Sequence, residues 1–465
     1  MSGFRSYMFD QALRLEGNPT AQPLTEHATA DVCIVGGGYT GLWTAIHLKK
    51  RSPELDVAII EKDLCGYGAS GCNGGCMLTL ATKFLTLRRF YGENEALRLV
   101  EASERAVPDI QEFCREHHIN AELRVDGALY MATNRSQVGV MNPVLHALGE
   151  HELNSWTRKD LTEAKRFAGT EDIQEGFFSP KAGSVQPALL VRGMARVARA
   201  MGVRIYEGTA MEKLEESSPA RVITAQGAIT ARKVVLAMNA WMASTFQQFS
   251  RAIAVVSSDM AVTEPCPELL AEIGLNHGAS ICDSRTFVHY YHTTADGRLM
   301  LGKGGNTFAY GSRMIPSFFE ASKYESQLKV AINRFFPTLA DVPLAATWNG
   351  GSDRSVTGFP FFGKLNNKPH ILYGFGYSGN GVTQTYIGGQ ILAALVLEAD
   401  DEWSRCGFVG GPRGLFPPEP VRWLGAMLVR NAIRRKEAAE DAERQPAWLD
   451  TQLAKCAKAA GKTDK

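Results

Sequence analysis

The chain has 465 residues, 45% of them apolar and 21% charged, with a formal net charge of +1. That length suggests about two domains, and the near-neutral balance excludes a general electrostatic pull toward nucleic acid or an anionic membrane. No stretch approaches the roughly 18 consecutive apolar residues that a membrane span requires.

In chain order, residues 1–30 are expected to form a loosely structured arm, where Arg5 and Asp10 interrupt what a signal peptide would keep apolar. Residues 30–35 (ADVCIV) are a short β-rich run, expected as a buried parallel strand. A glycine-rich turn then opens a helix over 39–51, with Leu42, Ala45, Ile46 and Leu48 at helical spacing. Residues 56–60 (DVAII) close a strand–helix–strand unit of the doubly wound type. A charged amphipathic helix follows over about 85–115, and LRVDGALYMAT alternates like strands. Residues 187–202 read as a helix, with strands after it at 203–206 and 233–238. Between about 250 and 345 strands and polar turns dominate; 287–292, the turn Ala295-Asp296-Gly297 and 298–301 predict a hairpin. Near the end, 371–375 (ILYGF) is a strand and 382–397 a helix, with GYSGNG between them.

This pattern predicts an α/β protein with an inserted α+β domain. A Rossmann-type nucleotide domain is assembled from residues 31–85, 182–245 and 346–400, and a mostly antiparallel substrate domain from 86–181 and 246–345. Residues 401–465 form a C-terminal helical extension. Its basic amphipathic run reads as a membrane or partner contact, or as a helix packed on the outside of its own domain. Glu437, Glu440, Asp441 and Glu443 soon cancel the positive charge and favour the second reading.

The chemistry-bearing signal is Gly36-Gly37-Gly38-Tyr39-Thr40-Gly41. Gly36 permits the tight turn, Gly38 lets the backbone approach a pyrophosphate, and Gly41 lets helix and strand pack closely. Amides at the helix start then meet phosphate, where the helix dipole favours negative charge. Glu61, at the end of the second strand, is placed to accept from both ribose hydroxyls and would repel a 2′-phosphate. The small-residue loop Gly66-Tyr67-Gly68-Ala69-Ser70-Gly71-Cys72-Asn73-Gly74-Gly75 follows at once. It suits close backbone approach to an extended ligand, as a flavin needs more than a nicotinamide does.

The sequence resembles the FAD-dependent D-amino-acid oxidase superfamily and, within it, the branch of amine oxidoreductases that includes γ-glutamylputrescine oxidase. The likeness runs from Ser6-Tyr7 to about Leu397 and rests on DVCIVGGGYTGLWTAIHL, GYGASGCNGG, VVLAMNAW, YYHTTADGRLMLG and GYSGNGV. It implies FAD as cofactor. Gly36, Gly38, Thr40, Gly41, Glu61 and Lys62 are the implied contacts of its ADP half. Ser70, Asn73, Gly74 and Gly75 lie near the ribityl chain and flavin, and Ala210 and Met211 near the adenine. Gly376, Ser378, Gly379, Asn380, Gly381 and Val382 lie near the pyrimidine ring, where helix-start amides would stabilise the charge of reduced flavin. The sequence departs from the branch at Cys72 and Asn380, where Arg and His are common. In place of the carboxylate-clamping Leu-Arg-Pro of amino-acid-oxidising relatives stands Trp348-Asn349-Gly350-Gly351-Ser352-Asp353, although Arg354 or Arg285 remains as another source of a cation. An amine is therefore expected rather than an α-amino acid.

Trp348, Tyr290 and His292 are the candidate substrate-cavity residues; for the histidines, and for Tyr290 and Tyr291, packing within the sheet is the alternative. His289 and His292 are three apart on a strand, face opposite sides and cannot form a simple metal pair, so no metal site is expected. Asp353 either binds a cationic substrate end or begins a turn. Cys72 and Cys76 allow a covalent flavin link or redox pair, but two packed thiols suit them better. Nine cysteines at irregular spacings read as free thiols in a reducing, cytoplasmic setting. The expected reaction is hydride transfer from the carbon beside an amine nitrogen to flavin N5, giving an imine that hydrolyses to aldehyde plus amine. An acylated polyamine, a secondary amine and an aminophosphonate stay open as substrates, with O2 or another acceptor as oxidant. A flavin-dependent monooxygenase and a non-catalytic FAD-binding protein are the competing readings.

Overall fold

A computed structural model describes residues 4–457. A central sheet runs in the order Phe361–Lys364, Ile371–Phe375, Ala228–Leu236, His27–Val35, Val57–Ile60, Arg204–Tyr206, with a short antiparallel pair (Lys213–Glu215, Ala220–Ile223) off the Ala228–Leu236 strand. Pairing is parallel from Ile371–Phe375 across to Arg204–Tyr206. Alternate residues explain why both faces are covered. Val32, Ile34, Val57 and Ile59 enter one core, while Cys33, Val35, Ala58 and Ile60 enter another on the opposite side. The helices Tyr39–Arg51 and Gly381–Val396 cross closely on the first of these faces. They can do so because Gly389 has no side chain: a Cβ there would lie 2.5 Å from that of Trp43.

A second sheet runs Leu344–Ser355, Ile253–Thr263, Leu299–Phe308, His289–Thr293, Ser280–Asp283, Ala128–Ala132, Glu175–Ser179, Thr157–Arg158. All its pairings are antiparallel except Ser280–Asp283 with Ala128–Ala132. The fold is thus mixed α/β, with a mostly parallel and a mostly antiparallel sheet.

Several boundaries differ from expectation. The Leu344–Ser355 strand pairs along its length with Ile253–Thr263, so residues 346–355 belong to the second sheet rather than the first. The helix expected over 85–115 is two, Phe84–Tyr91 and Glu93–Glu116, broken at Gly92 with its φ of 83°. The longer one buries Leu99, Val100, Val107 and Ile110 in the core of the first sheet and packs on Gly381–Val396, although its sequence neighbours enter the second sheet. The arm is more ordered than its sequence suggests. Tyr7–Leu15 is a helix capped by Ser6 Oγ, which accepts the Phe9 N–H at 3.3 Å, and its Met8, Phe9, Ala12 and Leu13 are buried. Residues 1–3 of the arm and 458–465 of the extension lie outside the described residues. The rest of the extension holds the helices Val421–Asp441 and Trp448–Lys455. Among the described residues no helix is long and apolar enough to cross a membrane.

Candidate functional site

The first glycine turn is built by steric necessity. Gly36 has φ 116°, and a Cβ there would sit 2.4 Å from Ala237 O. A Cβ at Gly41 would meet Gly36 O at 2.0 Å, so this glycine sets the close passage of helix over strand. Glu61 lies beside the turn, accepting the N–H of Gly37 at 2.7 Å and of Asp63 at 3.1 Å. Burial raises its pKa, while the two amides pull the other way. Two carboxylate oxygens carry about four acceptor sites, so capacity for further hydroxyl donors remains. The Lys62 ammonium rests 4.4 Å from the Trp241 ring centroid, and Ala210 and Met211 share that end of the cavity.

The second loop is tied to the first. Ser70 Oγ accepts the Tyr39 N–H at 2.9 Å. Asn73 donates to Ala69 O and Ser70 O, both at 3.0 Å, and accepts the Gly75 N–H at 2.7 Å. Gly75 (φ 68°) has no room for a side chain, since a Cβ would lie 2.0 Å from Val185 O. Thr40 Oγ1 donates to the Tyr377 hydroxyl at 3.0 Å, reaching the third loop. There the Gly376 N–H donates to the Asp353 carboxylate, and Ser378 Oγ accepts the Ser355 N–H at 3.0 Å. Ser378 to Val382 line the cavity where the Gly381–Val396 helix starts. Of the residues named from sequence for the cofactor, Gly41, Gly75 and Gly376 stand behind the cavity wall and shape it, while the others line it.

Tyr290 lines the cavity, its ring held between two glycines. A Cβ at Gly302 would lie 2.2 Å from the ring and one at Gly74 2.5 Å. Its hydroxyl is 2.6 Å from Ser258 Oγ, and burial raises its pKa so that the phenol stays protonated. Trp348 is a correction to the expected cavity wall. It is fully buried outside the lining, stacks on Tyr7, and donates its indole N–H to Cys72 O at 2.8 Å. It ties the second sheet to the second loop. His292 is corrected in the same way. Its ring lies 2.9 Å from Gly74 O and 2.8 Å from Thr293 O, behind the loop. Burial brings its pKa down to about 4, so the neutral ring donates to one of these carbonyls at a time. His289 faces elsewhere, 2.7 Å from Asp283 and 3.0 Å from Lys303. Asp353 serves the loop rather than a free substrate end, and burial lifts its pKa to about 6. Cys72 and Cys76 are free thiols pushed up to about 12 and about 11 by burial.

Two features carried little sequence signal. Arg354 lines the cavity beside the third loop, makes no ion pair among the described residues, and is drawn down to about 10 by desolvation. Ser352 Oγ, two residues before it, is buried in the same wall without a hydrogen-bond partner. Only the pairing of their strand beside Ala254 and Val256 turns them to the cavity. The second feature is the C-terminal extension, which supplies part of the cavity wall as well as an outer layer.

The cavity is a single space of about 920 Å³ reaching from Gly36 to the extension, at the upper end of the range for small-molecule sites. The side-chain-free turn, the spare acceptors of Glu61 and the orphaned Ser352 hydroxyl fit a long dinucleotide with a polar ring at its far end. The family model for FAD dependent oxidoreductases (DAO) matches residues 31–395. Gamma-glutamylputrescine oxidoreductase of Escherichia coli (strain K12) is 29% identical over 383 residues, covering 80% of this chain and 85% of the relative. The probable oxidoreductase OrdL of Rhizobium meliloti (strain 1021) is 30% identical over 386 residues, covering 80% and 84%. The crystal structure of glycine oxidase from Geobacillus kaustophilus superposes with a TM-score of 0.65 at 21% identity, covering 80% of this chain and 96% of that one. Iminodiacetate oxidase from Chelativorans sp. BNC1 gives 0.64 at 19% identity, covering 82% and 100%.

Proposed function

Because this chain belongs to the family of FAD-dependent oxidoreductases, we propose that it oxidises the C–N bond of an amine to an imine, which hydrolyses to aldehyde plus amine. FAD, when bound, would supply two-electron oxidation at the carbon beside the nitrogen, with O2 or another acceptor as the final oxidant. Gly36, Gly38, Glu61 and the Ala210–Met211 backbone would hold its nucleotide half; Ser70, Gly74 and the loop from Ser378 to Val382 would hold the flavin half.

The observation that carries the reading is the wall facing the second loop. Tyr290 packs on Gly74 with its phenol kept protonated, the Ser352 hydroxyl is buried in the wall of the same cavity, and both thiols nearby are neutral. Such a wall orients a neutral amine by shape and hydrogen bonding, and it keeps water away from the C–H bond. It needs no ionised base, because a neutral amine loses hydride without prior proton removal. Support for an amine as the donor comes also from the names of relatives that match over most of their length. Arg354 stands beside the loop assigned to the flavin pyrimidine, where a cation would favour negative charge on the reduced ring.

The test is an anaerobic panel of primary, secondary and acylated amines mixed with the FAD-loaded protein and followed by loss of the oxidised flavin band. At least one class should bleach the flavin in a single phase at saturating concentration. Bleaching by NADPH alone, with every amine inert, would move the reading to a monooxygenase.

A further inference from the structure

The helices Val421–Asp441 and Trp448–Lys455 lie beyond the last residue of the family match, yet they wall the same cavity as the glycine turn. Phe287, three residues before Tyr290, packs against Ile433 and Ala457, with Val429 and Ala454 beside them. The chamber so formed is apolar, lined by Phe287, Phe308, Trp423, Val429, Ile433 and Leu453. The charged side chains that reach it are already engaged. Arg285 donates to Asp441 at 2.7 Å and to Thr133 Oγ1 at 3.0 Å, and Glu419 accepts from Arg422 at 2.7 Å. Arg430 donates to Asn306 O at 3.0 Å and to the Asn431 side chain. Arg285 and Glu419 are thus ion-paired, Arg430 is held by neutral acceptors only, and the rest of the chamber is apolar.

The wall is also fixed. Asp441 bridges Arg285, Arg334 and Asn134; Glu437 accepts the Phe287 N–H at 3.1 Å; and the Trp423 indole donates to Phe308 O at 3.1 Å. One position on it stays open. Gly425 lines the cavity, and a Cβ there would meet nothing within 4 Å. Its neighbour Leu424 is 53% exposed and is not part of the lining.

We propose that this pair of helices is the specificity wall of the substrate cavity and selects amines carrying an extended apolar tail over short ones. The proposal rests on the amine reading above, and its test separates the two. Butylamine and octylamine are titrated into the FAD-loaded protein and binding is followed by the shift of the flavin spectrum, with anaerobic bleaching recorded in parallel. Octylamine should bind at least about tenfold tighter, since each methylene removed from water contributes about fourfold. Gly425→Phe, which fills the open position, should bring octylamine to within about twofold of butylamine. Leu453→Ala, which trims the second helix of the wall, should weaken octylamine more than butylamine, and Leu424→Phe should keep the wild-type preference. Equal affinity of the wild-type protein for both amines, or equal weakening of both by Gly425→Phe, would overturn the proposal. A tail preference with no bleaching by either amine supports the wall and counts against amine oxidation, whereas bleaching by both without a preference does the reverse.

Discussion

Asp353 shows how one buried carboxylate can serve a loop at a cost to stability. Its carboxyl holds the Gly376 N–H and is lifted by burial from 3.8 to about 6. A folded-state pKa above the unfolded one means that its favourable contribution is complete below about 3.8 and is lost as pH rises through about 6. Asp353→Asn keeps an oxygen for the Gly376 N–H and removes that titration. In denaturant melts, the stability of the variant relative to wild type should rise between pH 4 and pH 7 by up to roughly 3 kcal/mol. A difference that does not change with pH would reject this account. Arg354 sits close by in sequence and has the opposite problem: desolvation weakens its proton affinity and no carboxylate among the described residues pairs with it. Residues left in that condition are more often there for a ligand than for the fold.

At the scale of elements, the site is three loops fastened to one another and to the second sheet. Trp348 reaches from the second sheet to Cys72 O, the helix Tyr7–Leu15 packs on its other side through Tyr7, and His292 meets the same loop at Gly74. Trp348→Phe keeps most of the buried ring and deletes one hydrogen bond, a change of about 1 kcal/mol. Its effect should fall on FAD affinity, roughly fivefold weaker, rather than on the shape of the substrate chamber. Equilibrium dialysis of FAD against the variant checks this; unchanged affinity would show that the indole is only core filling. The helix Val421–Asp441 follows the same logic, because a segment that lines a chamber must be held by more than its own propensity, and here Asp441 and Glu437 hold it.

For the whole molecule, the cavity proposed to hold the cofactor draws on segments about 350 residues apart in the chain, from Gly36 to Val382. Ligand binding across such a space ties the two sheets together and stabilises the folded state by mass action. The unfolding midpoint should therefore climb with free FAD, and a concentration a hundredfold above the dissociation constant should add about 2.7 kcal/mol. A scanning-calorimetry midpoint indifferent to FAD would remove the nucleotide from this cavity.

The nucleotide half was legible because its constraints are local. A strand, a turn that tolerates no side chain, a helix and an acid at the next strand end occupy one short stretch, and each demand falls on a residue type visible in that stretch. The helix Tyr39–Arg51 and the strand Ile371–Phe375 likewise follow from apolar spacing alone. Trp348 and His292 could not be placed that way. Whether a residue near the loop faces the cavity or stands behind it depends on strand register against a partner far off in sequence, and period-two alternation leaves both faces open. The same non-local pairing moved residues 346–355 into the second sheet and brought Arg354 to the cavity. The extension's amphipathic pattern foretold a helix with a buried stripe, but not what that stripe would cover; only packing against Phe287 made it a wall of the site.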